Sequence, residues 1–227
     1  MTINISDLRF VPGALGDAAT STQPPEPRGT VDEIVHFLAV APLSLDVDLP
    51  AIRETGFYDR ARPFFEHIDD PQDHQAAIDL FHQAVQGDAE AQYQLSASLD
   101  DYQASQEEHN RGHPGPLSEE DITRFFRLAA DQRHIEAQAE LAFRYQRGLG
   151  VRDNCLEAAK WYARSIENSP DAEHKMDRYA FLGVLFADGG SDLPQDARTA
   201  RLFFRKAAEQ NNPYAKELLE SLCTKNA

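Results

Sequence analysis

The stretch that decides the fold is residues 134–167, which read HIEAQAELAFRYQRGLGVRDNCLEAAKWYARSIE. Apolar and small residues recur at three- and four-residue steps on both sides of the glycine-containing link 148–150. This pattern predicts two helices joined by a turn. The first helix carries a small residue four positions before a leucine, Ala137 and Leu141, and the second carries the aromatic pair Trp161-Tyr162.

Both signatures recur, so the chain contains internal repeats. The small-residue signature is found in four places: Ala91–Leu95, Ala137–Leu141, Ala215–Leu219 and, diverged, Leu182-Gly183. Aromatic pairs alternate with it at intervals of 36 and 42 residues: Phe125-Phe126, Trp161-Tyr162 and Phe203-Phe204. The links are also alike, with seven residues from Ala84 to Ala91, Ala130 to Ala137 and Ala208 to Ala215.

Small residues let two helix backbones approach closely, and large aromatic rings fill the seam with the next helix pair. Neither helix buries its apolar face alone, so successive pairs must stack into one continuous core. We therefore predict an all-α, right-handed superhelical α/α solenoid of about three to four helix pairs over residues 74–227. Residues 29–73 are predicted to form an N-terminal helical cap or a degenerate repeat, beginning at the capping box Thr30–Glu33. Residues 1–28, rich in proline and glycine, are predicted to be a flexible tail.

The repeats resemble the Sel-one-like repeat family, relatives of the tetratricopeptide repeats. The similarity is strongest over residues 134–167 and good over 175–210, whereas an insertion at residues 103–117 interrupts it within 88–132. The resemblance implies an interaction scaffold without a fixed activity. Some extracellular relatives cross-link each repeat with a cysteine pair, but Cys155 and Cys223 stand at no recurring positions, which disfavours that subtype.

Composition restricts the partners. The 22 Lys and Arg residues against 38 Asp and Glu residues give a net charge of −16, which disfavours nucleic acid and favours a protein partner with a basic surface. The alternative is that excess carboxylates only keep the protein soluble. The first residues lack the pattern of a secretory signal, and no apolar run is long enough to span a membrane. We expect a cytoplasmic protein without a membrane partner.

No motif in the sequence is typical of an active site. His67, His74 and His82 near Asp69, Asp70 and Asp73 are the nearest approach to a metal cluster, but their spacing fits no compact ligand set. His109 and His113 lie in a stretch that Gly112 and Pro114 make unfavourable for a helix, so we predict a polar loop there. We expect no enzyme activity, no catalytic residue, no metal and no cofactor.

Helical solenoids commonly bind partners along the concave surface formed by the first helix of each pair. The residues that bracket the small-residue signature are predicted to face that groove: Glu90, Tyr93, Asp100, Asp101, Glu136, Phe143, Gln146, Asp177, Asp188, Tyr214 and Glu217. Carboxylates among aromatic rings suit Lys and Arg side chains. The alternative for Tyr93 and Phe143 is that they only pack between repeats.

The insertion is a second candidate surface. Residues 88–121 carry nine acidic residues, including Glu107 and Glu108, against the single base Arg111. Insertions that break a repeat period often lie on a binding face, although a plain solvated loop is the alternative.

The leading functional hypothesis is a stoichiometric protein-binding module, in its most specific form an immunity or antitoxin-type protein that occludes a basic toxin or effector domain. Attraction between opposite charges would speed such capture. The alternative is an adaptor or regulatory scaffold that assembles other bacterial proteins.

Overall fold

The computed structural model describes residues 30–43, 54–110, 117–170 and 172–224. Within these ranges the chain forms ten α-helices and no β-strand. The helices are α1 Val31–Val40, α2 Glu54–Glu66, α3 Pro71–Val85, α4 Ala89–Asn110, α5 Glu119–Asp131, α6 Ile135–Arg147, α7 Cys155–Asn168, α8 Ala172–Asp188, α9 Ala197–Glu209 and α10 Pro213–Thr224. The predicted tail, residues 1–28, and most of the link between α1 and α2 lie outside the described residues.

The helices from α2 to α10 are stacked in chain order. Each packs against the helix before it and the helix after it. Three consecutive pairs, α4–α5, α6–α7 and α8–α9, follow α2 and α3, and α10 begins a further repeat. Packing between nearest neighbours in sequence defines a solenoid with one continuous core. The prediction of an all-α helical solenoid is confirmed, while its right-handed twist stays a prediction.

The core is built by the two repeat signatures. All six residues of the aromatic pairs are at most 2% exposed: Phe125, Phe126, Trp161, Tyr162, Phe203 and Phe204. The small residues allow these rings to lie against a neighbouring helix. In α8, a Cβ atom added to Gly183 would lie 2.5 Å from the Phe204 ring. The packing of a small residue against an aromatic ring therefore sets the distance between helices.

Buried side-chain amides join successive pairs. Gln92 in α4 is 3% exposed, and its Nε2 donates to the Ala84 carbonyl at the end of α3 over 3.0 Å. Its Oε1 accepts from Gln132 Nε2 after α5, over 2.9 Å. The equivalent bonds of the next pair join Gln138 to the Ala130 carbonyl and to Asn168, over 3.1 and 3.0 Å. The amides are second donors to these helix-end carbonyls, which also accept from the backbone N–H groups of Gly87 and Arg133 over 3.1 and 3.0 Å.

The links α3–α4, α5–α6 and α9–α10 share a backbone feature. The third residue after the link alanine has a positive φ in each: 101° at Gly87, 68° at Arg133 and 70° at Asn211. Glycine and asparagine tolerate this left-handed region, but an arginine there is unfavourable.

Helix α1 does not stack in chain order. It begins at the predicted capping box, where Thr30 N donates to Glu33 Oε2 over 2.7 Å, and it packs along α7 and touches α9. Val35 and Leu38 are each 3% exposed against the repeat core. Of the predicted N-terminal cap, only α2 therefore packs beside α3, whereas α1 lies against second helices far along the chain.

The carbonyl end of α1 is bound by two cations of α7. Arg164 donates to the Ala39 and Ala41 carbonyls over 2.8 and 2.9 Å, and Lys160 Nζ donates to the Pro42 carbonyl over 2.7 Å. Cations favour the carbonyl end of a helix because of its partial negative charge.

The predicted insertion is partly helical. Helix α4 continues to Asn110, so residues 103–110 extend it, and the expected polar loop is wrong for that part, including His109. The physical reason is that no glycine or proline occurs between Ala89 and Arg111. Gln103 in the extension is buried and donates to Glu119 Oε1 over 2.8 Å. Residues 111–116 lie outside the described residues.

We predict that Gly183→Ala lowers the free energy of unfolding by about 1–3 kcal/mol, because the added methyl group collides with the enclosed Phe204 ring. Urea denaturation measures the change. Gly56→Ala in α2 is the matched control, since its new Cβ would lie 3.6 Å from the nearest atom, on Arg60. A Gly183→Ala variant as stable as the control would contradict the role assigned to this contact.

Candidate interaction surface

Eleven of the predicted partner-binding residues lie on the first helices of the pairs, α4, α6, α8 and α10, whose open side we call the first-helix face. Seven are exposed and four are half-buried. The exposed ones are Glu90, Asp101, Phe143, Asp177, Asp188, Tyr214 and Glu217, and the half-buried ones are Tyr93, Asp100, Glu136 and Gln146. The side chains of Glu107 and Glu108, near the end of α4, lie outside the described residues.

His134 connects two first helices. Its Nδ1 accepts a hydrogen bond from the Ala137 N–H over 3.2 Å and so caps α6. Because the amide must donate, Nε2 carries the ring proton and donates to Glu90 in α4 over 3.0 Å. This hydrogen bond is the main cause that holds the pKa of Glu90 below its ordinary value.

Tyr93 is held by packing. Its ring stacks on the His134 ring with the centroids 4.6 Å apart, and burial raises its pKa. The alternative considered for Tyr93, packing between repeats, therefore describes its main contact. The half of the ring that stays open borders Glu136 and Glu140 of α6, which also raise the Tyr93 pKa.

A buried arginine binds several acids at the centre of the face. Arg144 in α6 is fully buried, and it donates to Asp100 of α4 and, over 2.9 Å, to Glu119 of α5. Its guanidinium also lies 4.8 Å from the centroid of the Phe126 ring. Asp100 is therefore a partner inside the protein as well as a surface acid.

Glu140 completes the group around this arginine. Its Oε1 lies 3.5 Å from Arg144 Nε, yet the pKa of Glu140 is raised because burial outweighs that attraction.

Two phenylalanines remain open at the middle of the face. Phe143 of α6 and Phe181 of α8 are 36% and 44% exposed, large values for rings on well-packed helices. The Arg147 guanidinium lies 5.6 Å from the Phe143 centroid, and the Phe181 ring stacks on buried Tyr162 with the centroids 5.3 Å apart. We call Phe143 and Phe181 the aromatic patch.

The floor beneath the patch holds polar groups. The Tyr162 hydroxyl is buried and has no hydrogen-bond partner among the described residues. Burial raises the pKa of Tyr162, so the group is a neutral donor. Arg178 of α8 is 5% exposed and donates to the His174 carbonyl over 2.9 Å. Burial lowers the pKa of Arg178, and the charge of Glu136 is the strongest influence that opposes this shift.

The acids of the face differ in their availability. Glu90, Asp100 and Asp177 bind partners within the chain, the last accepting from Asn212 Nδ2 over 2.7 Å. Asp101 and Glu217 are exposed and make no hydrogen bond or ion pair within the described residues.

Sequence reasoning missed the cations and one of the rings. The cations are Arg144, Arg147 and Arg178, and the ring is Phe181. Because these cations lie among the carboxylates, the centre of the face has mixed charge, whereas an anionic groove was predicted. Phe181 had a signal, because it lies four residues after Asp177 on the same helix side. The sequence carries no such signal for the buried Arg144, because the acids around it come from three separate positions that only folding brings together.

Neither a metal site nor a membrane span is evident in the part of the chain that the structure describes. No group of three or more His, Cys, Asp or Glu side chains is placed to hold a metal ion there. None of its helices combines the length and apolar character needed to cross a bilayer.

Stacked helix pairs with repeated signatures define the class as helical repeat proteins. The sequence profile of the Sel1 repeat matches residues 68–88, 135–170 and 179–212, which confirms the predicted Sel-one-like repeats. This chain thus contains Sel1 repeats, which form protein–protein interaction modules that are generally not catalytic. The profile does not cover residues 89–134, where α4 and α5 lie.

One solved structure with similarity is a crystal structure of a Sel1 repeat protein from Oxalobacter formigenes. It shares 26% sequence identity with this chain, and the match covers 63% of this chain and 96% of that chain with a TM-score of 0.44. No curated protein matches this chain.

His134→Ala is expected to lower the free energy of unfolding by about 1–2 kcal/mol, because both the cap of α6 and the stacking on Tyr93 are lost. His134→Asn is the matched variant, since asparagine caps helices well but cannot stack on Tyr93 to the same extent. Chemical denaturation should place its stability between those of His134→Ala and the wild type. Equal stability of all three proteins would show that His134 does not join α4 to α6.

Glu140→Gln should raise the melting temperature at neutral pH. Because the Glu140 pKa is raised in the folded state, stability from the protonated carboxyl is present below the ordinary pKa of 4.5 and is lost as pH rises through the raised pKa. Glutamine imitates the protonated form, so its advantage should vanish below pH 4.5. Thermal melts across this pH range test the prediction, with exposed Glu217→Gln as control. A loss of stability at neutral pH would show that attraction to Arg144 outweighs burial.

Proposed function

We propose that this chain is a non-enzymatic protein-binding module and that its first-helix face holds the partner. The observation that carries the proposal is the aromatic patch, two exposed phenylalanines on neighbouring first helices, of which Phe181 stacks on Tyr162. The patch lies in the middle of the face, between Tyr93 on one side and Tyr214 on the other.

The patch has the composition of an interface centre. Aromatic rings on rigid helices bury a large apolar area at a small cost in side-chain entropy, and such residues dominate binding energy in protein complexes. Phe143 takes the second position after the repeat leucine, where the neighbouring first helices carry Ala97 and Val184. A ring at this position is therefore not required for stacking.

The charge around the patch favours a partner with basic side chains. Asp101 and Glu217 are exposed on flanking helices without a counter-ion in the described residues, and the chain as a whole carries −16. Acids at the edge of an interface mainly speed association and make it sensitive to salt. The mixed charge at the centre suits a partner that also carries acidic side chains.

The most specific form of the proposal is an immunity or antitoxin-type protein that blocks a toxin or effector domain, acting in the cytoplasm. It is supported by the acidity of the chain, which suits rapid capture of a basic domain. The alternative, an adaptor or regulatory scaffold, is favoured by the length of the face, which spans four first helices and has room for more than one partner.

The test is co-expression of the tagged chain with the product of the neighbouring reading frame, followed by purification and affinity measurement. Replacing both phenylalanines by serine should weaken the complex by at least about a hundredfold, the loss typical of interface centres. The matched control is Leu128→Ser on α5, because Leu128 is 38% exposed but lies on a second helix. A complex weakened equally by both changes, or by neither, would contradict the assignment of the face.

The charge component needs a separate measurement. Asp101→Lys with Glu217→Lys should slow association and reduce its dependence on salt, whereas Glu209→Lys on α9 should not. Protection of cells from the neighbouring gene product would support the immunity hypothesis. Several co-purifying proteins without any such protection would favour the adaptor.

A further inference from the structure

A polar cavity lies on the opposite side of the solenoid from the first-helix face. It has a volume of about 370 Å³, is open to solvent on one side, and is lined by the end of α1, the end of α5 with the link after it, Gln138 of α6, and α7. Pockets of about 300–1,000 Å³ are the usual size of small-molecule sites. The cavity exists because α1 lies across α7 and contributes Ala39 and Val40 to its wall.

Donors without acceptors gather in this cavity. Trp161 is 1% exposed and lines it, and its indole N–H has no hydrogen-bond partner among the described residues. Arg133 also lines it, is exposed, and makes no side-chain hydrogen bond or ion pair in the described part of the chain. Arg164 also lines it and uses only Nε and one terminal nitrogen to hold α1.

The acids of the lining already have partners. Both Asp131 oxygens lie 3.1 Å from Arg127 Nε, and Glu167 Oε1 lies 2.7 Å from His36 Nδ1. Two guanidinium groups also lie close to the Trp161 ring, those of Arg127 and Arg164, at 5.1 and 5.0 Å from its centroid. The unused hydrogen-bonding capacity of the cavity therefore includes the cationic donors of Arg133 and Arg164.

The repeat fold does not require these donors. The positions equivalent to Trp161 are Phe125 and Phe203, which fill the same seam without an N–H group. The positions equivalent to Arg133 are Gly87 and Asn211, residues that tolerate the positive φ adopted there. An arginine held at φ 68° is unfavourable for the link, and such strain is retained mainly at functional sites.

We propose that this cavity binds a small organic carboxylate, with its anionic head held by Arg133 and Arg164 and its apolar part against Val40 and Trp161. Paired guanidinium groups are well suited to carboxylate oxygens, and the alkyl or aryl part of the ligand would contact Val40 and the small part of the indole that lines the cavity. The ligand would contact α1 and α7 together, so it would also stabilise the docked position of α1.

The chain has a built-in reporter for this site, because Trp161 is its one tryptophan. Isocaproate, a branched aliphatic carboxylate without ultraviolet absorption of its own in this range, is the probe. Titration into the full chain should change Trp161 emission saturably at millimolar concentration, an affinity reasonable for so small a ligand. Isocaproamide, which has the same shape without the charge, should bind at least about tenfold more weakly.

Arg133→Asn is the decisive variant, because asparagine occupies the same link position at residue 211 and keeps its backbone conformation. It should weaken isocaproate at least about tenfold. Arg152→Asn, an exposed arginine of the link after α6, is the matched control and should leave the affinity unchanged. The melting temperature should rise with isocaproate in the wild type and in the control, but not in Arg133→Asn.

Three results would overturn the proposal. They are the absence of a saturable change in emission, equal affinity for the carboxylate and the amide, and an affinity that survives Arg133→Asn. None of them bears on protein binding at the first-helix face, since Arg133, Arg164, Val40 and Trp161 do not lie on first helices.

Discussion

The structure depends on how the carbonyl end of one helix pair is joined to the next pair. The last carbonyls of a helix have no partner within it, and in a stacked repeat they lie where water cannot easily replace one. Gln92 and Gln138 donate to these carbonyls from the following first helix. The bond fixes the position of each pair against the previous one, and therefore aligns the first helices side by side.

Once the pairs are aligned, residues that stacking does not need become available for other contacts. Each repeat requires an aromatic ring at the seam and a small residue at the helix crossing, and most other positions can vary. On one side this freedom leaves Phe143 and Phe181 exposed on neighbouring first helices, and on the other it places Arg133 and Trp161 in the lining of one cavity. The two surfaces are thus independent consequences of one repeated core.

Much of the fold could be predicted from local sequence patterns, and the first-helix face could be predicted in part. Residues of the predicted groove do lie on first helices, because the repeat period assigns each of them a helix and a side. The charge of the groove was less predictable. Arg144 binds Asp100, which lies 44 residues away in the sequence, and no local sequence pattern indicates such a pairing. The continuation of α4 to Asn110 was not predicted, because the glycines that follow it favour a loop.

The sequence by itself determined the helix pairs, the links between them and the capping box at Thr30, since each rests on contacts between residues close in the chain. Tertiary structure alone decided where α1 lies, because its buried side chains Val35 and Leu38 could have packed on any apolar seam. Arg164 and Lys160 select the seam on α7 by binding the carbonyl end of that helix. Long-range hydrogen bonds of this kind leave no period in the sequence, whereas repeated packing does.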